Sequence, residues 1–263
     1  LHPFLERILS ITHSGACLSA TTSMITNAPA TGALSLISQL HTSIASGVPL
    51  RLAVPIFAKI FDRLKHDAED NGDGGNHAHM SLLRVFKIAV NAASLKDVKM
   101  LMDDLSHFLF TCLLFRSEMI FKKMPMSEVD GIEEEVVDSL VSLVLRMSEN
   151  DLTVFFANLY EHFVVEHEED DCSISDKLKR FSADEERKLY YMARRVSFYS
   201  VTATLADKLK SIFVPFFEHF FDDCKNELLN VYRDAESGFY AGNLQGDGSV
   251  KADNEDSGGE VEV

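Results

Sequence analysis

The sequence predicts an all-α protein built from antiparallel helix pairs, and three observations predict it. Apolar residues recur at i, i+3, i+4 and i+7 along most of the chain, the spacing that puts one buried stripe on a helix. Strand signals are nearly absent: no Val/Ile/Thr alternation is bounded by an Asn-Gly or Asp-Gly turn. The aromatic content is of one kind, with 19 Phe, 6 Tyr and no Trp. Phe and Leu wedged between helices are therefore expected to form the core.

The elements follow in order. The spacing predicts helices near 3–12, 16–27, 33–46, 49–66, 78–93, 95–122, 128–148, 151–167, 183–210 and 213–233. Capping-box pairs precede three apolar runs, at Ser94/Asp97, Ser127/Asp130 and Ser182/Glu185. Pro49, shortly after Gly47, suits the first turn of a helix. Val136, Val137, Leu140, Val141 and Val144 share one stripe. Leu189, Met192, Val196, Tyr199, Ala203 and Ala206 are expected to form the apolar face of the next long helix. Phe217, Phe220, Phe221, Cys224, Leu228 and Val231 do the same for the last.

Consecutive helices pair into units of roughly 40 residues, the period of HEAT-like repeats. The expected fold is thus a HEAT-like α-solenoid ending in a disordered acidic tail. Its parts are N-terminal repeats over 1–79 that continue an upstream solenoid, a C-terminal HEAT-like domain over 80–233, and a tail over 234–263. The chain starts at Leu1 without an initiator Met, as expected of the end of something longer. The polar stretch Asp67 to Asn76 and the acidic stretch Glu166 to Ser175 are expected to be loops. In the tail, Asp234, Glu236, Asp247, Asp253, Glu255, Asp256, Glu260 and Glu262 face Lys251 alone, too much charge and too little apolar surface to fold.

Charge and cysteines narrow the function. A formal charge of -16 argues against wrapping a nucleic-acid duplex, which takes clustered Lys and Arg, but leaves room for a local basic face. Cys17, Cys112, Cys172 and Cys224 form no CxxC pair, so neither a metal motif nor a disulfide framework is expected, and a reducing compartment is. The longest apolar run, Leu105 to Phe115, is too short for a bilayer, which takes ~20 residues.

No constellation calls for chemistry. Asp67, Glu69, Asn71 and Gly72 imitate the start of a calcium loop, but Ala78 stands where a bidentate Glu is needed. His77 with His79, or His162 with Glu166, supply two ligands and no third, so packed or surface histidines are expected. GxSxG, P-loop, GxGxxG and kinase signatures are missing. No catalytic, metal or cofactor residue is assigned, and neither a cofactor nor a small-molecule substrate is expected. The best polar candidate runs from Asp176 to Arg195. Lys177, Lys179, Arg180, Arg187, Lys188, Arg194 and Arg195 there offer a docking face for RNA phosphate or an acidic protein segment. The Phe-rich run Ile212 to Phe221 is expected to be core, with Phe213, Phe217 and Phe220 buried.

Two stretches carry a resemblance. Leu143, Val144, Leu145, Arg146, Met147, Ser148 and Glu149, followed by Phe155, Phe156, Leu159 and Glu161, form a Leu-rich helix, a Ser-Glu break and a Phe-containing helix. Phe198, Leu205, Ala206, Leu209, Lys210, Ser211, Ile212, Phe213, Val214 and Pro215 follow. Together they resemble the C-terminal region of the U3 small nucleolar RNA-associated protein 10 family, also called HEAT repeat-containing protein 1. His162 stands where that family has a Trp, Arg146 replaces a Lys, and Leu152-Thr153-Val154 replaces Phe-Arg-Pro. The resemblance implies a nuclear, nucleolar α-solenoid without catalysis, scaffolding the early small-subunit pre-ribosome. Its implied partners are small-subunit processome proteins, the U3 ribonucleoprotein and pre-ribosomal RNA, reached directly or indirectly. Pre-18S processing and ribosomal RNA transcription are the implied processes. The rival expectation is a HEAT-type adaptor that binds proteins in transport or signalling; a metal-dependent enzyme using His162, Glu166 and His167 is a third.

Overall fold

The structure is a computed structural model that describes residues 2–12, 30–71, 75–122, 124–165, 184–218 and 220–236. All regular structure among them is helical. The helices are α1 (His2–Thr12), α2 (Ala30–Gly47), α3 (Leu50–Asn71), α4 (Gly75–Ala92), α5 (Leu95–Met100), α6 (Met102–Leu113) and α7 (Phe115–Met119). They continue as α8 (Met126–Val144), α9 (Glu149–Phe163), α10 (Asp184–Leu209), α11 (Val214–Phe217) and α12 (Phe221–Glu236). The expected helix over 16–27, the linker over 166–175 and most of the tail lie outside the described residues. The chain divides into two compact units, Leu1–Val214 and Pro215–Val263.

In the first unit the helices stack in two layers. One layer runs α1 on α3, α3 on α6 and α6 on α9; the other runs α2 on α4, α4 on α8 and α8 on α10. Rungs join the layers, with α3 on α4, α6 and α7 on α8, and α9 on α10. Each helix pair thus touches the pair before and the pair after, which defines an α-solenoid. The repeat units span 50–92, 95–144 and 149–209. The boundary expected at 79/80 falls inside α4.

Aromatic rings form the joints, as the composition foretold. Phe57 meets Phe86 edge-on at 5.7 Å, and Phe108 lies 4.7 Å from Phe86 and 6.2 Å from Phe61. His79 is fully buried between Phe61 and Phe115, each ring centre 5.1 Å away. Phe110 carries the joint onward, stacking on His162 at 5.6 Å and touching Phe155 at 5.4 Å. Cys112 is buried in the same layer, and burial, with Asp62 nearby, pushes its thiol well above the ordinary range.

Caps and breaks follow local chemistry. Ser94 accepts from the Asp97 amide at 3.1 Å and starts α5. Ser148 opens α9 with a full capping box: its hydroxyl oxygen accepts from the Asp151 amide, while Asp151 Oδ2 accepts from the Ser148 amide at 3.4 Å and also from its hydroxyl at 2.6 Å. Ser127, expected to cap, lies inside α8, which starts after Pro125; a fixed φ there sets the first turn instead. The expected single helix over 95–122 is broken at Leu101, whose φ of -108° and ψ of 15° leave the helical range, and again at Leu114. The breaks let Phe110, Leu113, Leu114 and Phe115 all bury. The expected loop from Asp67 is shorter than read, since α3 reaches Asn71 and α4 begins at Gly75.

In the second unit, Phe216 and Phe220 are buried, while Phe217 is 46% exposed. The expectation that Phe217 is core is therefore corrected. Its ring touches Phe220 at 5.1 Å and Phe221 at 5.4 Å, an aromatic cluster with one open side. On α12, Leu228, Leu229 and Tyr232 are likewise exposed.

Candidate functional site

The basic face predicted from sequence lies on α10, and its placement depends on how that helix is rolled. Asp184 to Leu209 contains neither Gly nor Pro, so no local breaker interrupts this helix. The buried face is Tyr190, Ala193, Arg194, Ser197, Phe198, Val201, Thr202, Leu205 and Leu209. That corrects the stripe expected from Leu189, Met192 and Val196, which are 41%, 43% and 50% exposed. Two stripes compete on this helix, and the aliphatic one lost. The winning stripe holds Ser197, Thr202 and Arg194, whose polarity hid it.

The roll divides the predicted cations. Arg187 and Lys188 are exposed, and Arg195 is half-buried. Arg194 is only 2% exposed, so it leaves the solvent-facing set. Its guanidinium lies 5.5 Å from the Tyr191 ring centre and 5.9 Å from those of Tyr190 and Phe163. A flat, weakly hydrated cation tolerates such an aromatic cage better than an ammonium does. Burial pushes the Tyr190 hydroxyl upward, with the Arg194 charge and Ser117 pulling the other way. Lys177, Lys179 and Arg180 lie outside the described residues, so Arg187, Lys188 and Arg195 are the surface cations of this face that the structure places.

A second feature was not foreseen. Between α8 and α10, with α7 at one end, lies a groove of about 610 Å³. Asp130, Glu133, Glu134 and Asp138 line it from α8, Ser200, Thr204, Asp207 and Lys208 from α10, and Arg116 from α7. Val137 and Ala203 supply apolar wall. Arg116 bridges two carboxylates, donating from Nη2 to Asp130 at 2.6 Å and from Nε to Glu133 Oε2. Burial works to lower the Arg116 pKa, but the hydrogen bond to Asp130 and the Glu133 charge outweigh it and raise it. Asp138 pairs with Lys87 at 3.0 Å. Asp130, Glu133/Glu134 and Asp138 recur at helical spacing, so the acidic stripe was readable; the groove was not, because Arg116 and α10 join it only through folding.

Other polar groups are structural. Arg146 donates to the carbonyls of Asn91 (2.8 Å) and Ala93, closing the C-terminal end of α4. Lys65 pairs with Glu118 at 2.9 Å. His162 packs on Phe110 and Phe163. Among the described residues no three His, Cys, Asp or Glu side chains stand where they could hold a metal ion. Among them too, no helix is long and apolar enough to cross a membrane.

Stacked helix pairs joined by aromatic rungs, with charged groups arrayed on the outer faces, define a helical-repeat segment. Comparison with known proteins makes this particular. The BP28CT (NUC211) domain matches residues 97–241, more than half of the chain, and the chain belongs to that family. It is also similar to the HEAT repeat-containing protein 1 homolog of Dictyostelium discoideum, 22% identical over 224 residues. That alignment covers 74% of this chain and 9% of the relative, so the chain spans about a tenth of that protein's length. No solved structure matches the chain.

Proposed function

We propose that this chain is a non-catalytic scaffold segment of the early small-subunit pre-ribosome. It acts in the nucleolus, in processing of pre-18S ribosomal RNA and in ribosomal RNA transcription, in company with small-subunit processome proteins and the U3 ribonucleoprotein. The observation that carries this reading is the family match over 97–241. The similarity to a HEAT repeat-containing protein 1 homolog supports it, and so does a two-layer helical stack whose rungs are apolar rings. Such a stack offers long outer faces for partners. In this proposal residues 80–233 are the family's C-terminal domain, and the helices before them continue the same stack.

Contact with RNA phosphate or an acidic segment is assigned to Arg187, Lys188 and Arg195, with Lys177, Lys179 and Arg180 before them in sequence. Binding through so few cations falls with added salt along a shallow slope.

The test is depletion of the protein in cells, followed by Northern analysis of ribosomal RNA precursors. The expected result is loss of 18S RNA with accumulation of its unprocessed precursor, and nucleolar staining of the tagged protein. Normal 18S levels after complete depletion would overturn the assignment and favour an adaptor outside ribosome assembly.

A further inference from the structure

The apolar stripe that α10 does not bury has an order of its own. Leu189, Met192, Val196, Tyr199 and Ala203 follow one another by steps of three and four residues in strict alternation. That is the spacing that sets one seam of a helix against a second helix in a coiled coil. Tyr199 is half-buried and the other four are exposed, so the seam faces solvent. It runs for about 20 Å along the helix. The core face of α10 lies on the opposite side, which leaves this helix apolar on two sides, the pattern of one covered on both. In the heptad that starts at Leu189 and again at Val196, the preceding residues Lys188 and Arg195 hold the flanking position, where charge sets the choice of partner. Between Glu186 and Asp207 the helix carries no acidic side chain, so this edge is cationic in a chain of net charge -16.

We propose that the seam binds an amphipathic helix of another protein, apolar along one stripe and acidic at its edges. The proposal rests on the reading of Arg187, Lys188 and Arg195 as a docking face and commits that face to one occupant. Charge and apolar surface together select it. RNA phosphate pairs with the cations but leaves Leu189, Met192 and Val196 uncovered. A second copy in antiparallel register sets Lys188 and Arg195 against the same two cations. In parallel register they meet Ala193 and Ser200, which carry no charge. A partner helix with glutamates at its flanking positions engages both cations while its apolar stripe takes the seam out of water. Met192, unbranched and polarisable, adapts to the side chains that such a helix brings.

The test uses the whole chain and a fluorescein-labelled three-heptad peptide, with leucine at the two seam positions, glutamate at the two flanking positions and alanine elsewhere. Its own glutamates repel one another and keep it from pairing with itself. Anisotropy at physiological salt is expected to show binding, and a peptide with lysine in place of glutamate is expected to bind far more weakly. Met192→Gln/Val196→Gln is expected to weaken the glutamate peptide about tenfold by removing apolar contact. Lys188→Glu is expected to weaken it about fivefold and to strengthen the lysine peptide, a reversal that damage to the fold does not produce. A control at exposed leucines elsewhere, Leu36→Gln/Leu40→Gln, is expected to change affinity by less than about twofold. Circular dichroism checks the fold of each variant, and if the seam variant does not fold the charge reversal at Lys188 decides.

Absence of binding, equal affinity for the two peptides, or equal losses in the seam and control variants would each overturn the proposal. Full displacement by equimolar oligouridylate would overturn it in favour of RNA. A dimer of the chain alone, seen by sedimentation and abolished by the seam variant, would assign the seam to a second copy. Binding that appears only after deletion of residues 166–175 would assign it to the chain's own acidic stretch. None of these results alters the outcome of depletion in cells, and normal 18S levels after depletion would leave the seam and its occupant standing.

Discussion

Arg194 decides between two readings of α10. If it belongs to a solvent-facing basic surface, its removal leaves stability unchanged. If it belongs to the core, as its 2% exposure says, removal is costly. The magnitude follows from what the side chain touches. Truncation to Ala removes two buried methylenes, about 0.8 kcal/mol each. It also removes a guanidinium held 5.5 to 5.9 Å from three ring centres. A desolvated cation–π contact is worth about 2 kcal/mol, and three contacts made by one cation overlap rather than add. Relief of the buried charge offsets part of the loss. Arg194→Ala is therefore expected to destabilise the fold by about 2–4 kcal/mol, against less than about 0.5 kcal/mol for Arg187→Ala or Lys188→Ala. Urea unfolding followed by circular dichroism at 222 nm measures all three, with the slope against denaturant held common. A cost below about 1 kcal/mol for Arg194→Ala would refute the core assignment and return this residue to the surface set.

Two further outcomes test the packing. Ser148→Ala is expected to cost about 1 kcal/mol at neutral pH by removing the cap of α9. The Ser148 hydroxyl, the largest cause, holds Asp151 below its ordinary carboxylate range. A depressed carboxylate contributes stability above its unfolded pKa and loses it as pH falls through the folded one. The gap between wild type and variant should therefore narrow below about pH 4, and a gap that widened in acid would contradict the capping geometry. Phe213, edge-on to Phe156 at 5.5 Å, is expected to cost about 3–5 kcal/mol when cut to Ala. Half-exposed Phe217 is expected to cost less than about 1 kcal/mol in the same unfolding assay, and equal costs would contradict the exposed side of the second unit's aromatic cluster.

Much of the fold was legible because burial on a helix is periodic. Val136, Val137, Leu140, Val141 and Val144 were read as one stripe from spacing alone, and all are buried. The roll of α10 was illegible for the converse reason. Leu189, Met192 and Val196 satisfy the periodicity, but so do Tyr190, Ala193, Ser197, Val201 and Leu205, and hydropathy favours the wrong set. The rings of Phe163, Tyr190 and Tyr191, brought together by folding, surround the Arg194 guanidinium at a core position. The break at Leu101 and the cap at Ser148 escaped for a related reason. Leu101 carries no local breaker, and Ser148 with Asp151 sits inside a stretch read for its resemblance rather than for its hydrogen bonds.

The candidate sites divide along the same line. A surface cation such as Arg187 is visible in one stretch of sequence, because exposure asks nothing of distant residues. The groove needs Arg116 on α7, Glu133 on α8 and Asp207 on α10, positions that sequence order keeps apart and only the stack brings together. In a solenoid each helix contacts only adjoining pairs, so such grooves arise where neighbouring helices leave space between them. The chemistry there is set by whichever side chains the roll of each helix presents. For α10, the roll that draws Arg194 into the aromatic layer also carries Ser200, Thr204 and Asp207 to the edge of α8. One rotational choice thus removes a cation from the outer face and closes the groove beside it. A basic edge from Arg187 to Arg195 and an acidic groove from Ser200 to Lys208 then lie in succession along one helix.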